Sequence, residues 1–477
     1  MYRLVLYGLL VLAGISIIFG FTGILSYSGT SLIYSLLLIV AVCGVSNYLL
    51  AKLFKVQTNI ESVWITAFIL FFILFPISSW TDVWFYVLAG ALAMVSKYFL
   101  AIQKKHIFNP AAVSVFLLGL FGVGVSWWVG SSVMLIPVMI FGFLVLRKLR
   151  RFNLFFAFLL AGVISVFAVG LSHGSGFYEI FTSTFLSGPI IFFGSIMLTE
   201  PLTTPPTRKL QMTYGAIVGL FFGLQFHFGP VYSTPELALI LGNLFSYIVS
   251  PKIRAVLTLI RKDKLTADVY DFVFRPDKKI SFMAGQYLEW TLGHSPSDTR
   301  GNRRYFTIAS SPTEENIHLG VKFYPNGSSF KKKLLSLETG QTIIASQLSG
   351  EFILPKDQKE KLVFIAGGIG ITPFRSMVKY VLDKEQKRDI VLLYSNKTPS
   401  DIAYKDLFDS AERSVGLKTI YVGLIDKEMI MKEVPDYLER KFYISGPHGM
   451  VDAFESVLNE IGVKNSQIKY DFFPGYA

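Results

Sequence analysis

Cysteine is almost absent from this sequence. The only one among 477 residues is Cys43, which lies inside an apolar run. A single thiol excludes a disulfide framework, a four-cysteine iron–sulfur cluster and a cysteine-based zinc site. Any redox group bound by this chain is therefore expected to be organic or to be held by other ligands, and we predict no metal site.

Charged side chains are scarce in the first 250 residues. That segment holds twelve Lys or Arg and only five Asp or Glu, and the mean hydropathy of the chain is +0.50, far above that of an ordinary soluble protein. A helix that crosses a bilayer needs about 20 apolar residues. We predict a polytopic α-helical membrane domain over residues 1–250, with ten spans centred near positions 14, 42, 70, 92, 120, 139, 162, 188, 219 and 241.

Positive charge is unevenly distributed among the loops of this domain. The even-numbered loops hold nearly all the Lys and Arg before residue 250, and the odd-numbered loops hold none. Because positive loops stay on the cytoplasmic side, we predict a multi-pass protein of the cell or inner membrane with both termini in the cytoplasm. The net charge is +12, and the surplus of +7 in residues 1–250 (12 − 5) lies in short loops where it fixes the topology, so we expect no nucleic-acid partner. The first apolar stretch lacks a small-residue cleavage site and is interpreted as a retained span, not a signal peptide.

Two proline-containing loops stand out on the predicted cytoplasmic side. They are residues 106–112, which read HIFNPAA, and residues 199–207, which read TEPLTTPPT. Proline opens a helix end and frees carbonyl groups, which is tolerated at membrane depth only where protein or a cavity satisfies them. These loops are either helix-capping turns or part of a binding site, and the sequence favours neither.

The same loops carry a resemblance to a membrane family. Residues 1–250 resemble the D subunit of the Rnf complex and the B subunit of the sodium-pumping NADH:quinone oxidoreductase, a family of ten helices in two inverted repeats that binds flavins. The chain has Glu200 where the family usually has Asp, and it has no Ser-Gly-Ala-Thr-like site for covalent FMN. The resemblance implies a non-covalent FMN or riboflavin, or a quinone, near the two proline loops.

Haem was weighed as the alternative membrane cofactor. Stacked haems need paired histidines on two helices, whereas this half has only His106, His173 and His227, one per region and each near a loop. We therefore do not expect a bis-histidine haem.

A soluble module begins after residue 250. Residues 251–356 contain short runs of alternating polar and apolar residues separated by Gly, Pro and Asn, which predict an antiparallel β-barrel. One strand carries Arg304, Phe306 and Thr307: a cation for a phosphate, an aromatic face for a flavin ring and a hydroxyl near its N5. Gly327, Ser328 and Ser329 form a turn in which a pyrophosphate could bind. We predict that this domain binds FAD.

Residues 357–477 have the pattern of an α/β Rossmann-like domain. A buried strand over residues 361–366 runs into a glycine-rich turn and then a helix, an arrangement in which backbone amides approach a pyrophosphate. The turn contains Gly368, Gly370, Thr372 and Pro373. A later strand ends in Ser445, Gly446 and Pro447. These strand ends predict a site for NADH or NADPH, with neither favoured.

Taken together, these motifs resemble the ferredoxin-NADP⁺ reductase superfamily over residues 252–477. The resemblance implies that Arg304 meets the flavin pyrophosphate, Phe306 stacks on the ring and Thr307 bonds near N5. It implies that Gly368, Gly370 and Thr372 meet the dinucleotide phosphates, that Ser445 lies beside the nicotinamide, and that a C-terminal aromatic, Phe472 or Phe473, covers the flavin. The superfamily often has Tyr at position 306 and Cys at 445.

The expected activity follows from the two halves. FAD takes a hydride from NAD(P)H, and the electrons pass to a membrane acceptor, either a quinone or a bound flavin that delivers them to an extracytoplasmic partner. Two alternatives stay open: a ferric or oxygen reductase, and a transporter-like bundle controlled by a nucleotide-sensing domain.

Overall fold

The computed structural model describes residues 2–54, 60–102, 105–251, 253–298 and 301–471. The chain divides into two compact units, one ending at Ser250 and the other beginning at Pro251.

The first unit is helical. Its helices are α1 (Tyr2–Phe21), α2 (Gly29–Leu53), α3 (Ile60–Ile73), α4 (Trp80–Phe99), α5 (Pro110–Leu120), α6 (Leu135–Leu149), α7 (Phe152–Ser172), α8 (Phe177–Phe181), α9 (Ile190–Phe192), α10 (Arg208–Gly223) and α11 (Pro235–Val249). The segments Thr182–Leu186 and Phe193–Met197 are π-helical. Two short hairpins lie between helices: β1 (Ala101–Ile102) with β2 (Lys105–His106), and β3 (His227–Phe228) with β4 (Val231–Tyr232).

Fewer helices are long enough to cross a membrane than the sequence predicts. Among the described residues, four qualify by length and apolar composition, or five if the pair Phe177–Leu186 and Ile190–Met197, bent by 51°, counts as one span. Three further apolar helices, α3, α5 and α11, are only 10–17 residues long. The predicted count of ten spans is therefore not supported. Pro110, Pro189 and Pro235 each lie at the start of a helix inside a segment that hydropathy treats as continuous.

Proline and a capping side chain explain why α5 and α11 begin where they do. Asn109 precedes Pro110 and accepts a hydrogen bond from the Ala112 amide at 3.1 Å. Thr234 precedes Pro235 and accepts from the Leu237 amide at 3.2 Å. Proline at the first helical position has no amide to leave unsatisfied, and the cap satisfies another. Each X-Pro pair therefore fixes a helix start.

Three glycines allow α7 and α10 to pack closely. They are Gly215, Gly219 and Gly223, spaced by four residues on α10. A β-carbon at Gly219 would lie 2.4 Å from the carbonyl oxygen of Phe158, and one at Gly223 would lie 2.4 Å from the amide nitrogen of Val166. Such small-residue stripes let helix backbones approach each other in membrane proteins.

The second unit opens with a six-stranded antiparallel sheet that forms a half-barrel. Its strands have the spatial order β8-β7-β10-β5-β6-β9. Their bounds are β5 (Arg254–Lys264), β6 (Val269–Pro276), β7 (Tyr287–Thr291), β8 (Arg303–Thr307), β9 (Ile317–Lys322) and β10 (Thr342–Ser349), with helix α12 (Ser329–Leu335) before β10. Trp290, Phe272 and Phe274 are fully buried in its core. The predicted antiparallel sheet is thus confirmed.

A five-stranded parallel sheet follows, in the spatial order β13-β12-β11-β14-β15. Its elements are β11 (Leu362–Gly367), α13 (Thr372–Asp383), β12 (Ile390–Ser395), α14 (Lys405–Val415), β13 (Lys418–Val422), α15 (Lys427–Glu433), β14 (Lys441–Ser445), α16 (His448–Glu460) and β15 (Ile468–Tyr470). The register pairs Gly367 with Ser395 and Ala366 with Ser445. The predicted turns therefore leave the sheet at one edge, where ligands bind in open α/β sheets.

We expect Gly219→Ala to destabilise the helical unit. The added methyl group meets backbone atoms that cannot rotate away, and overpacking of this kind costs about 1–3 kcal/mol. Thermal unfolding of the purified protein in detergent measures the effect. Gly119→Ala is the matched control, since a β-carbon there meets nothing within 4 Å. Equal melting temperatures for the two variants would contradict the close packing.

Candidate active site

Strand β8 places the predicted flavin residues on the half-barrel. The guanidinium of Arg304 lies 5.4 Å from the ring centre of Phe330, and the ring of Phe306 lies 5.9 Å from the same ring. Both side chains therefore lie on one face of β8, as the alternation predicts. Thr307 is buried and ends the strand.

Arg304 and the serine turn converge on one carboxylate. Nη2 of Arg304 donates to both oxygens of Asp298, at 2.9 and 3.1 Å. The amide of Ser329 donates to Oδ2 of the same side chain at 3.2 Å, and the hydroxyl of Ser328 caps α12. Gly327 lies in the turn just before. A guanidinium and an amide that jointly bind a carboxylate form an anion site, so these residues fit a cofactor phosphate.

The glycine-rich turn connects β11 to α13. Gly368 has φ = +52°, a left-handed conformation that favours glycine. At Gly370 a β-carbon would lie 2.3 Å from the carbonyl oxygen of Ser445, so only glycine allows the turn to approach the end of β14. Thr372 is the first residue of α13, and Pro373 follows in its first turn. Amides at the start of this 12-residue helix fit a dinucleotide phosphate.

Ser445, Gly446 and Pro447 follow β14 directly at the same sheet edge. Ser445 is 2% exposed, and Gly446 packs beside Met450. The sequence therefore places this turn correctly next to the glycine-rich turn.

Asp471 is a site residue to which the sequence assigned no role. Its Oδ2 accepts hydrogen bonds from the hydroxyls of Ser445 at 3.0 Å and Thr307 at 3.4 Å. Burial raises the pKa of this carboxyl to about 7, although both hydrogen bonds act to lower it. The two predicted catalytic hydroxyls are thus brought to one oxygen atom. The only signal in the sequence was a carboxylate next to the C-terminal aromatic pair.

Phe472 and Phe473, the predicted flavin-covering residues, lie outside the described residues. Their assignment stays a prediction.

The helical unit has its own buried polar cluster, which joins the two proline loops. Nε2 of His106 lies 3.1 Å from Oε1 of Glu200, and the Asn109 side-chain amide donates to Oε2 at 3.0 Å. The Asn109 backbone amide donates to Asn243, whose side chain donates to the hydroxyl of buried Tyr214. The loops, 91 residues apart in sequence, therefore share one hydrogen-bonded network.

Comparison with known proteins identifies the domains of the second unit. Residues 256–352 match the family "Oxidoreductase FAD-binding domain", and residues 364–456 match "Oxidoreductase NAD-binding domain".

Flavohemoproteins are among the curated relatives. That of Bacillus cereus is 25% identical over 241 residues, which are 45% of this chain and 60% of the relative. Flavohemoprotein A of Dictyostelium discoideum is 25% identical over 232 residues, 45% of this chain and 58% of the relative. This chain thus spans about 60% of the relatives' length.

Similar solved structures include the cytochrome b5 reductase domain of Ulva prolifera nitrate reductase. It is 22% identical, with a TM-score of 0.41, and the match covers 46% of this chain and 97% of that chain. The flavohemoglobin of Malassezia yamatoensis is 18% identical, with a TM-score of 0.44, and the match covers 66% and 79%.

The domain matches agree with the geometry of the site. An anion site lies on β8 of the antiparallel sheet, and a glycine-rich turn opens the parallel sheet. The second unit therefore contains an oxidoreductase FAD-binding domain, residues 256–352, followed by an oxidoreductase NAD-binding domain, residues 364–456.

Proposed function

We propose that this protein is an FAD-dependent NAD(P)H oxidoreductase, and that it passes electrons from NAD(P)H through FAD to an acceptor in a membrane, either a quinone or a second, non-covalent flavin. The observation that carries the proposal is the network of His106, Glu200 and Asn109. Reduction of a quinone or flavin takes up protons as well as electrons. A histidine bonded to a carboxylate is suited to supplying them.

The helical composition supports the same proposal. At least four described helices are long and apolar enough to cross a bilayer. A redox module joined to such helices is suited to a lipid-soluble acceptor. The resemblance of residues 1–250 to flavin-binding membrane subunits favours this acceptor class. That resemblance remains a prediction, and so do the cytoplasmic position of both termini and the extracytoplasmic partner.

Within the reductase unit, side chains bind and orient the reactants. Bound FAD supplies the chemistry that accepts a hydride and releases electrons singly. Arg304 and the amide of Ser329, which bind the Asp298 carboxylate in this structure, would hold a phosphate of the cofactor in its place. The amides from Gly368 to Thr372 would hold the dinucleotide, while Asp471 orients Thr307 and Ser445.

Two other functions would give different spectra. A haem-containing ferric or oxygen reductase would show a Soret band at about one haem per chain. A nucleotide-regulated transporter would bind FAD without its being reduced by NAD(P)H. One absorbance spectrum of the pure protein, before and after NAD(P)H is added, separates both from our proposal.

We expect Glu200→Gln to reduce electron transfer to a quinone without affecting the reductase unit. The amide keeps the shape of the side chain but, unlike a carboxylate, can neither take up nor release a proton. Protein in lipid nanodiscs is given NADH or NADPH with either a short-chain quinone or ferricyanide, which takes electrons directly from flavins. Quinone reduction should fall by about tenfold or more, as for the loss of a general acid or base, while ferricyanide reduction stays unchanged.

Glu179→Gln is the control, since Glu179 is an exposed carboxylate of the same unit. The proposal fails if wild-type protein reduces ferricyanide but neither a quinone nor a second flavin. Equal losses with both acceptors in Glu200→Gln would also contradict it.

We expect hydride transfer to depend on the ionisation of Asp471. The nicotinamide ring becomes positively charged as it loses the hydride, and an ionised carboxylate near it stabilises that charge. Because the pKa of Asp471 is about 7, the rate should rise roughly tenfold between pH 6 and 8.5 and level off above. Asp471→Asn should remove this rise and keep the rate near the low-pH value.

Anaerobic stopped-flow measurement of flavin bleaching at each pH tests this expectation. Asp406→Asn, a change at an exposed carboxylate of α14, is the control and should retain the wild-type profile. A rise near pH 7 that persists in Asp471→Asn would assign the titration to another group.

A further inference from the structure

The start of α13 is bonded to the half-barrel immediately beyond the flavin strand. Nη1 of Arg375 donates to the carbonyl oxygen of Ala309 at 3.1 Å. The hydroxyl of Ser376 donates to the carbonyl oxygen of Ser310 at 2.6 Å. Ala309 and Ser310 follow Thr307 by two and three residues. Two adjacent side chains of the dinucleotide helix thus bond to adjacent carbonyl groups of the flavin-binding domain.

A buried ion pair fixes the same contact. Both Nη atoms of Arg375 bond to the carboxylate of Glu314, with Nη2 at 2.9 Å from Oε1. Arg375 is 8% exposed, and its guanidinium also lies 5.7 Å from the ring centre of Tyr404. A bidentate guanidinium–carboxylate pair defines both distance and orientation, which a point charge such as lysine does not.

The carboxylate of Glu314 is itself held in place by the half-barrel. Its Oε2 accepts the Ser311 amide at 2.6 Å. On the other side lies His318, whose Nε2 is 3.9 Å from Glu314 and whose Nδ1 is 2.7 Å from buried Asp271. The side chains of Asp271, His318, Glu314 and Arg375 therefore form a row that runs from β6 to α13. Each of the two central side chains, His318 and Glu314, lies between two charged or polar neighbours.

We propose that Arg375 and Glu314 are positioning residues, which set the distance and angle between the nicotinamide and the flavin. The proposal rests on the reductase activity alone and does not depend on a membrane acceptor. Arg375 follows Thr372 by one helical turn, so the segment that binds the dinucleotide also bonds to the flavin-binding domain. Hydride transfer needs the reacting atoms about 3–3.5 Å apart, and a misplacement of about 1 Å costs on the order of 100-fold in rate.

An alternative interpretation is that the Arg375–Glu314 pair only stabilises the fold. Loss of the pair would then lower the melting temperature and leave the chemistry of the surviving folded protein unchanged. The two interpretations predict different rates of flavin reduction at saturating dinucleotide. They also predict different intensities for the long-wavelength charge-transfer absorbance of a nicotinamide stacked on a flavin.

The test uses the full-length FAD-loaded protein in nanodiscs with the variants Arg375→Lys and Glu314→Gln. We expect the saturating rate of flavin bleaching to fall 10- to 100-fold and the charge-transfer band to weaken. The Kd of FAD and the concentration of NADH or NADPH that half-saturates bleaching should change less than twofold. Lys405→Gln is the matched control, because it removes an ion pair with Asp409 that lies within α14.

Each outcome decides the proposal. Wild-type bleaching with unchanged rates and charge-transfer bands in both variants overturns it, as does a fall in melting temperature alone. If Arg375→Lys does not fold, Glu314→Gln and the double variant Glu314→Leu with Arg375→Met, which leaves no buried charge unpaired, provide the comparison. Failure of wild-type protein to bleach would contradict the reductase activity instead.

Discussion

A single carboxylate oxygen joins the two sheets of the reductase unit. Oδ2 of Asp471 accepts one hydroxyl from the end of antiparallel β8 and another from the end of parallel β14. Asp471 is held there because β15 pairs with β14 and the Asp471 amide continues the ladder to Ile444. A shift of one residue in this three-residue strand would turn the carboxylate away from both hydroxyls. The geometry of the site therefore depends on one short edge strand.

The parts of the site that sequence predicts are those encoded locally. Glycine is required at Gly368 by its positive φ and at Gly370 by its close approach to Ser445. A glycine-rich turn after an apolar strand can therefore be recognised from the sequence. The roles of Asp471 and Arg375 depend on partners far along the chain: Thr307 is 164 residues from Asp471, and Glu314 is 61 from Arg375. No periodicity records such pairings, and β15 is too short to give a pattern.

The helical unit shows the complementary limit. Apolar composition correctly marks residues 1–250 as helical, but hydropathy measures side chains and not the continuity of the backbone. Gly188 and Pro189 separate α8 and its π-helical extension from α9, and Pro110 and Pro235 start helices that are too short to qualify as spans. The hydrogen bonds through which Glu200 connects the two proline loops could not be predicted either, because the sequence was equally compatible with two separate helix-capping turns. Asn109 does both: its side-chain oxygen caps α5, and its side-chain amide donates a hydrogen bond to Glu200.

Binding and reactivity are linked in the reductase unit through the first turns of α13. Thr372 begins this helix, at the end where we propose that the backbone amides bind the dinucleotide. Arg375 and Ser376 bond to the carbonyl groups of Ala309 and Ser310, just after Thr307 at the end of β8. The helix cannot move toward or away from the dinucleotide without stretching those bonds. Ser445 lies against Gly370, and it bonds to the same Asp471 oxygen as Thr307 does. The position of Ser445, on the other side of the glycine-rich turn, is therefore also fixed relative to the flavin strand. The dinucleotide site is therefore built at a fixed distance from the flavin strand before either reactant arrives, which is the condition that efficient hydride transfer imposes.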